Sequence, residues 1–319
     1  MFSPCGKYEA CGIFNTTHFI ALAICLILEN DGHYAFVDTG SSFYYPMIEK
    51  HLNEYEISNI DFIILTHFHN DHYGNVAKII SNYKVGKLYL KRYYGLDGTT
   101  SSGYSSNEEY ILNEFKKYDE ILKACEENHT EVVFIDEIGS EELDLDFAGI
   151  TLELYDIKNR LYELYSNSNS EFYMQKRFNE NFNSIGIFIK HNGFNIFLGA
   201  DLTCSKTDIK EVKDLSYKML EHIYNKHQIN HIDIYKSCHH GGTGTNPEKL
   251  CDLLKCKYAV ITNTARWLDT YDTVKFLKAA NPDVEILVTD YQKYLFKVGN
   301  EICYDKISDT SLFILLNKD

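Results

Sequence analysis

The chain has 319 residues, 45% hydrophobic and 24% charged, with 18 Gly and 4 Pro. That is enough apolar material for a large core, and it excludes a disordered, collagen-like or coiled-coil chain. The net charge is −15, but Asn107–Phe147 alone holds fourteen Asp/Glu against three Lys, and no basic track for a phosphate polymer is evident.

Met1–Cys11 has no basic region ahead of an apolar stretch, so no signal peptide is expected. The longest apolar run, Phe19–Leu28, is ten residues, too short to span a membrane. Nine cysteines at irregular spacing read as reduced thiols of a cytoplasmic protein, and the Cys251/Cys256 spacing fits no zinc knuckle.

Along the chain, Phe19–Leu28 is followed by the hairpin signal Asn30-Asp31-Gly32 and a strand, Tyr34–Val37, that ends in Asp38-Thr39-Gly40. A helix is predicted over Tyr45–Tyr55, a buried parallel strand over Ile60–Leu65, a helix over Asn75–Asn82 and a strand over Lys87–Leu90. Gly95–Asn107 reads as a loop and Glu108–Cys125 as a helix, together opening an acidic helical insertion at about 95–147 within a single domain of 1–319. Strands follow at Val132–Ile135 and Ile150–Tyr155, then a polar surface loop over Ser166–Asn183.

The first half's pattern then returns. Strands Ile185–Ile189 and Phe194–Leu198 flank the turn His191-Asn192-Gly193, and the second strand ends at Gly199-Ala200-Asp201. A helix over Lys206–Asn225, a strand over Ile232–Lys236 and a second histidine cluster follow. Each half therefore reads hairpin, acid at a strand end, helix, strand, histidines. This predicts an α/β fold: an αββα sandwich of two mixed β-sheets with flanking helices. Pro247–Leu254, Tyr258–Thr262, Asp272–Ala280, Glu285–Val288 and Ser311–Leu315 are assigned to the second layer.

The sharpest chemical feature is Thr66-His67-Phe68-His69-Asn70-Asp71-His72. It packs four potential metal ligands into six residues of a chain with only 13 His, a density not expected by chance. Alternation in an extended segment puts His67 and His69 on one face, and Asp71 and His72 fall where the chain turns into the next helix. Imidazole nitrogen and carboxylate oxygen suit zinc and other divalent first-row metals.

The run His67-Phe68-His69-Asn70-Asp71-His72 resembles the H-x-H-x-D-H signature of metallo-β-lactamase-fold hydrolases, and the resemblance extends over most of the chain. Asp38 is similar to the family's aspartate that orients the histidine loop, and Asp201 to the carboxylate that bridges two metals. His239-His240-Gly241-Gly242 resembles the closing motif that supplies the last histidine ligand. Asn181-Phe182-Asn183-Ser184-Ile185, Lys236–Gly241 and Tyr89–Tyr93 resemble the branch of competence-type DNA-uptake nuclease domains and teichoic-acid phosphorylcholine esterases.

This resemblance implies two divalent ions, zinc first, with manganese or iron also accepted. His67 and His69 would hold one, Asp71, His72 and His240 the other, and Asp201 both. Asp38 would fix a ligating imidazole. A metal-bridging hydroxide would attack a phosphoester or phosphodiester. The lack of a basic surface favours a small-molecule or glycan-linked substrate over nucleic acid, which stays open, and no membrane partner is expected. Asp71, His239 and Lys236 are the catalytic candidates, with Lys236 a point charge for an anionic substrate. Adjacent residues of an extended segment point apart, so one of the pair ligates; His240 is taken as the ligand and His239 as facing the phosphate or leaving group, with the reverse assignment left open.

Some readings stay open in the sequence. His129, His191 or water would complete the first metal site, where the family has a lone histidine. Asn181, Asn183 and Ser184 are loop caps or substrate donors. Tyr93, Tyr94, Tyr104 and Trp267 are packing residues or a box for a choline-like head group. Cys238 reads as a small buried residue, and His18, His33, His51, His222, His227 and His231 as surface or capping residues. The alternative functions are a lactone or thioester hydrolase of the same fold, and a metal-binding scaffold or partner-binding module without catalysis.

Overall fold

A computed structural model describes residues 25–95, 106–137, 142–155, 179–203, 213–263, 272–289, 293–307 and 312–316. Two mixed β-sheets pack face to face with helices on both outer faces, which is the predicted sandwich. The apolar filling between them comes from alternate strand positions: Leu26, Leu28, Ala35, Val37, Phe62 and Ile64 from one sheet meet Leu152, Leu154, Ile187, Ile189, Ile196 and Leu198 from the other. Each fully buried Ile or Leu contributes about 1.5–3 kcal/mol, so this interface is a large part of the stability.

The first sheet grows from the N-terminal hairpin. Strands β1 (Cys25–Asn30) and β2 (His33–Thr39) pair antiparallel around Asp31-Gly32. Helix α1 (Tyr45–Glu54) then crosses to β3 (Asn59–Ile64), parallel to β2. The short α2 (Asn70–Tyr73) and α3 (Val76–Asn82) lead to β4 (Lys84–Leu90), also parallel. Helix α4 (Asn107–Glu127) starts where Ser106 Oγ accepts a hydrogen bond from Glu109 N at 3.1 Å, and it leads to β5 (Glu131–Phe134), parallel to β4. Helices α1, α3 and α4 cover the outer face through Ile48, Leu52, Ile79, Ile80, Tyr118 and Ile121.

The second sheet repeats the pattern. Strands β6 (Glu142–Phe147), β7 (Ile150–Tyr155), β8 (Gly186–His191) and β9 (Phe194–Leu198) run antiparallel in sequence. Helix α5 (Leu215–His227), β10 (Ile234–Lys236), α6 (Glu248–Leu254), β11 (Tyr258–Ile261), α7 (Asp272–Ala280) and β12 (Glu285–Val288) complete it with parallel pairings.

Four strands depart from the sequence reading. Strand β6 lies inside the acidic segment: Leu145 and Phe147 point into the core while Asp144 and Asp146 point outward. Its alternation is a strand's, and its charges protect a sheet edge. Strands β13 (Lys293–Val298) and β14 (Ile302–Ile307) form a hairpin absent from the prediction, although Tyr294, Phe296 and Val298 alternate inward. Strand β15 (Leu312–Leu316) joins the first sheet and not the second layer. It lies between β13 and β1, parallel to both. Composition identifies a strand but not the edge it pairs with, and the free edge of β1 fixes that choice.

The carboxyl ends of β2, β3, β9 and β10 converge at one rim, where Ile185 N donates to Thr66 O at 3.0 Å and ties the two sheets together. Crossovers from parallel strands leave a crevice at such a rim. No helix among the described residues is long and apolar enough to cross a membrane, and the described cysteines are free thiols.

Candidate metal centre

The histidine loop is held before any metal arrives. Asp38, the penultimate residue of β2, has φ of 57°, a left-handed conformation that turns its carboxylate toward the end of β3. There Oδ1 accepts from Thr66 N and Oδ2 from Thr66 Oγ1, both at 2.8 Å. Oδ2 also accepts from His72 Nδ1 at 2.7 Å, with both side chains buried. Asn75 Nδ2 donates to the carbonyls of Thr39, Gly40 and Ser41, clamping the β2 exit beneath the loop. Gly74 lets these strands of chain touch: a Cβ there would lie 2.5–2.7 Å from Ser42 N, Asn70 O and Gly40 O. From outside, Tyr73 Oη donates to the buried Glu114 carboxylate of α4 at 2.8 and 2.9 Å.

Three chain segments then aim donors at one point. His67 donates Nδ1–H to Thr66 Oγ1 at 3.2 Å, which leaves Nε2 facing His69 Nδ1 at 3.1 Å. His72 Nε2 lies 3.3 Å from Asp201 Oδ2. His240 Nε2 lies 3.2 Å from both Asp201 Oδ2 and Asp71 Oδ2, while its Nδ1–H donates to Thr262 O at 3.1 Å. Donor sets formed by His67/His72/Asp201, Asp71/His72/His240 and Asp201/His239/His240 overlap in Asp201 and the two imidazoles.

These separations fit a cation. Ligands about 2.0–2.1 Å from a tetrahedral ion stand about 3.3 Å from one another. His72 Nε2, buried and facing the centre, makes no hydrogen bond, so the protein leaves there a polar atom that a further group would satisfy. The donor chemistry, imidazole plus carboxylate, suits a divalent first-row metal.

The charges respond to the crowding. Burial opposes charge on Asp201, yet His240 and His72 hold it well below the usual carboxylate range. Asp71 is lowered in the same way by His72 and His240 against its own burial. Burial disfavours the imidazolium of His72, but Asp201, Asp38 and Asp71 outweigh it and raise the group to about 10. Asp201 and Asp71 similarly raise His240 to about 9. Burial, reinforced by His72 and His69, pushes His67 well below its ordinary value, and burial pushes His239 down to about 4.

The structure thus gathers His67, His69, Asp71, His72, Asp201, His239 and His240 at one rim, with Asp38 behind His72. Lys236 is a correction. The residue is 3% exposed and its ammonium is turned inward, donating to Ala200 O at 2.7 Å and lying 3.6 Å from Asp201 Oδ1. It faces the buried side of Asp201, because the last residue of β10 points into the sandwich and not toward the mouth.

Neither His129 nor His191 reaches the centre. His129 follows α4 and precedes the starting end of β5, which is parallel to β4 and β3 and so lies across the sheet from His67. His191 ends β8, five residues beyond the rim-bound Gly186, roughly 17 Å along a strand. Among the remaining described histidines, His33, His222, His227 and His231 pair with surface or half-buried acids. His51 is buried in α1 instead of exposed.

Cys238 is fully buried against Gly199, where a Cβ would overlap its Sγ. Tyr93 packs with Phe68, Phe115 and Tyr118 in the core, and Tyr94 Oη donates to Asp136, so these two serve packing and tethering; Tyr104 and Trp267 lie outside the described residues. Sequence reasoning missed Thr66 as the hub of the Asp38–His67–His72 network and Thr262 as the backing of His240. Thr262 acts through its carbonyl, which no side-chain pattern signals. Ser184 Oγ accepts from Asp201 N at 3.3 Å, and Asn183 Oδ1 accepts from the buried Lys91 ammonium at 3.3 Å.

Residues 24–151 match the family model described as Metallo-beta-lactamase superfamily, a span that contains Asp38 and the whole histidine loop. No curated protein sequence matches the chain. Among solved structures the chain is similar to the metallo-beta-lactamase fold protein YhfI from Bacillus subtilis, at 11% identity over 80% of this chain and 83% of that one, with a TM-score of 0.45. It is similar to Tm1679, a metal-dependent hydrolase of the beta-lactamase superfamily, at 15% identity over 80% and 85%, with a TM-score of 0.46. It is also similar to the metallo-beta-lactamase superfamily protein ST1585 from Sulfolobus tokodaii, at 13% identity over 63% and 68%, with a TM-score of 0.31.

Proposed function

We propose that this chain is a member of the metallo-beta-lactamase superfamily and a two-metal hydrolase of phosphoesters, most simply of a phosphodiester. The observation that carries the reading is the convergence of His67, His72, Asp71, His240 and Asp201 with donor atoms at ligand-to-ligand distances. His67 and His69 would hold one ion, Asp71, His72 and His240 the other, and Asp201 would bridge them because a carboxylate has two oxygens. When bound, such a pair supplies a nucleophilic water of lowered pKa and charge stabilisation for the attacking and leaving oxygens.

This chain's own residues do the rest. Asp38 and Thr262 keep the proton of His72 and His240 on Nδ1, so that each Nε2 points inward. His239 stands at the mouth with 37% of its side chain exposed, where its ring can meet a phosphoryl or leaving-group oxygen. One feature supports a phosphoester: the likeness of the Asn181–Ile185 and Lys236–Gly241 segments to phosphoesterase branches. The acidic α4, joined to the histidine loop through Glu114, disfavours a polyanionic substrate and favours a small or glycan-linked one.

The test is turnover of bis-p-nitrophenyl phosphate by protein reconstituted with zinc, manganese or iron, beside lactone and thioester panels. Phosphodiester turnover that chelator abolishes and metal restores is expected. Turnover confined to lactones or thioesters would replace the phosphoester reading, and His69→Ala protein that keeps full activity without metal would overturn the two-metal reading.

A further inference from the structure

Adjacent histidines close the centre, and they face different partners. His239 and His240 both sit at positive φ, 42° and 56°, in the turn Cys238–Gly241, so their rings diverge from a common backbone with centroids 5.6 Å apart. His240 Nε2 is 3.2 Å from each of two carboxylates, the separation expected of ligands on one ion. His239 Nε2 is 3.9 Å from Asp201 Oδ2 and only 3.2 Å from Asn181 Nδ2. Its other nitrogen, Nδ1, is buried and makes no hydrogen bond.

Asn181 comes to this contact prepared. It belongs to the turn Glu180–Asn183, where Asn179 Oδ1 accepts its backbone N–H at 2.8 Å and its carbonyl accepts from Ser184 N at 3.3 Å. The side chain is 3% exposed, and its Oδ1 makes no hydrogen bond. The turn therefore sets the direction of the carboxamide, and the carboxamide sets His239. Either orientation of the amide engages the same ring atom: Nδ2–H donates to an unprotonated Nε2, or Oδ1 accepts from a protonated one. In both cases the Nε2 lone pair is unavailable to a cation.

We infer that Asn181 is a positioning residue that withholds His239 from the metal pair, leaving His240 as the ligand of the closing turn. This rests on the metal-hydrolase reading above.

The test is cobalt(II) loading of the full chain, read by metal content and by the visible spectrum, which reports coordination geometry. Wild-type protein and His239→Ala are expected to bind the same number of equivalents with the same spectrum, whereas His240→Ala loses an equivalent. In Asn181→Ala the released imidazole falls onto the nearby ion and the spectrum changes. The double variant Asn181→Ala/His239→Ala returns to the wild-type spectrum, which a merely structural role for Asn181 would not produce. Loss of a metal equivalent in His239→Ala, or an unchanged spectrum in well-folded Asn181→Ala, overturns the inference. Should Asn181→Ala fail to fold, the His239→Ala metal content decides alone. Wild-type protein that takes up no cobalt overturns the metal-hydrolase reading and this inference with it.

Discussion

Asp38 and His72 meet at 2.7 Å across 34 residues of sequence, each closed off from solvent. The same carboxylate accepts both the backbone N–H and the hydroxyl of Thr66, so it holds the loop and orients a ligand at once. Asp38→Asn keeps the shape but loses the charge and one acceptor position. It is expected to weaken metal affinity by about 10–100-fold, the usual effect of removing the partner of a ligating imidazole. Competition with a chromophoric chelator measures this. Asp38→Ala also strands Thr66 N and His72 Nδ1, and urea unfolding of metal-free protein should show a loss of about 3–5 kcal/mol. Wild-type affinity in Asp38→Asn would show that His72 needs no partner.

That network was half legible in the sequence. Asp38 and the His67–His72 loop stand at strand ends marked by apolar runs, and hydrophobic period places strand ends well. Thr66 was invisible because its role depends on Asp38 folding back at positive φ, a local conformation that a non-glycine sequence does not advertise. The duplicated halves predicted both β2–β3 and β9–β10, which meet at the rim. Strand β15 escaped because pairing along an edge is decided by tertiary contact, and β6 because its acids concealed an alternation of two. Lys236 was misplaced for a related reason: period two tells which residues share a face, but not which of two faces is the mouth.

The metal-free protein should lose stability as pH rises, and the metal-bound protein much less. His72 and His240 are raised to about 10 and about 9 by the surrounding carboxylates. A raised imidazole contributes stability that is complete below the unfolded value of about 6.5 and is lost as pH climbs through the folded one. The vulnerable window is therefore about pH 6.5–10. A cation replaces those protons, so its binding must expel them and tighten as pH rises. Urea midpoints at pH 7 and 9.5, with and without zinc, should diverge, and calorimetry in buffers of different ionisation enthalpy should register proton release. Parallel midpoints would contradict the assignment of charge to these two rings.

Lys236 serves Asp201 from behind, so its replacement should be felt in stability and metal binding, not in substrate capture. Lys236→Met removes the buried cation 3.6 Å from Asp201 Oδ1 and the donor to Ala200 O. Breaking one side of a buried pair costs about 3–5 kcal/mol. The cost should show in metal-free protein and shrink in metal-bound protein, where the cation supplies the missing positive charge to Asp201. KM for an anionic phosphodiester should stay within about twofold. A rise above tenfold would return Lys236 to the role of substrate charge that its sequence position suggested.

The two ions should not bind alike. Asp71, His72, Asp201 and His240 offer four protein donors to one site, two of them imidazoles whose far nitrogens are anchored by Asp38 and Thr262. His67, His69 and Asp201 offer three to the other, because His72 is given to the first site, His239 is engaged by Asn181, and His129 and His191 sit at remote helix and strand ends. His69 also lies on the looser side of the loop, half-exposed, where His67 and His72 are buried. A tetrahedral ion with three protein ligands keeps one position for water or substrate, which suits chemistry but lowers affinity. Titration of metal-free protein with zinc or cobalt should therefore proceed in two phases. His69→Ala should abolish the weaker phase and spare the tighter one, whereas His240→Ala should damage the tighter one first. A single phase of two equivalents in wild-type protein, or equal loss of both in His69→Ala, would mean that a further group on this chain completes the first site.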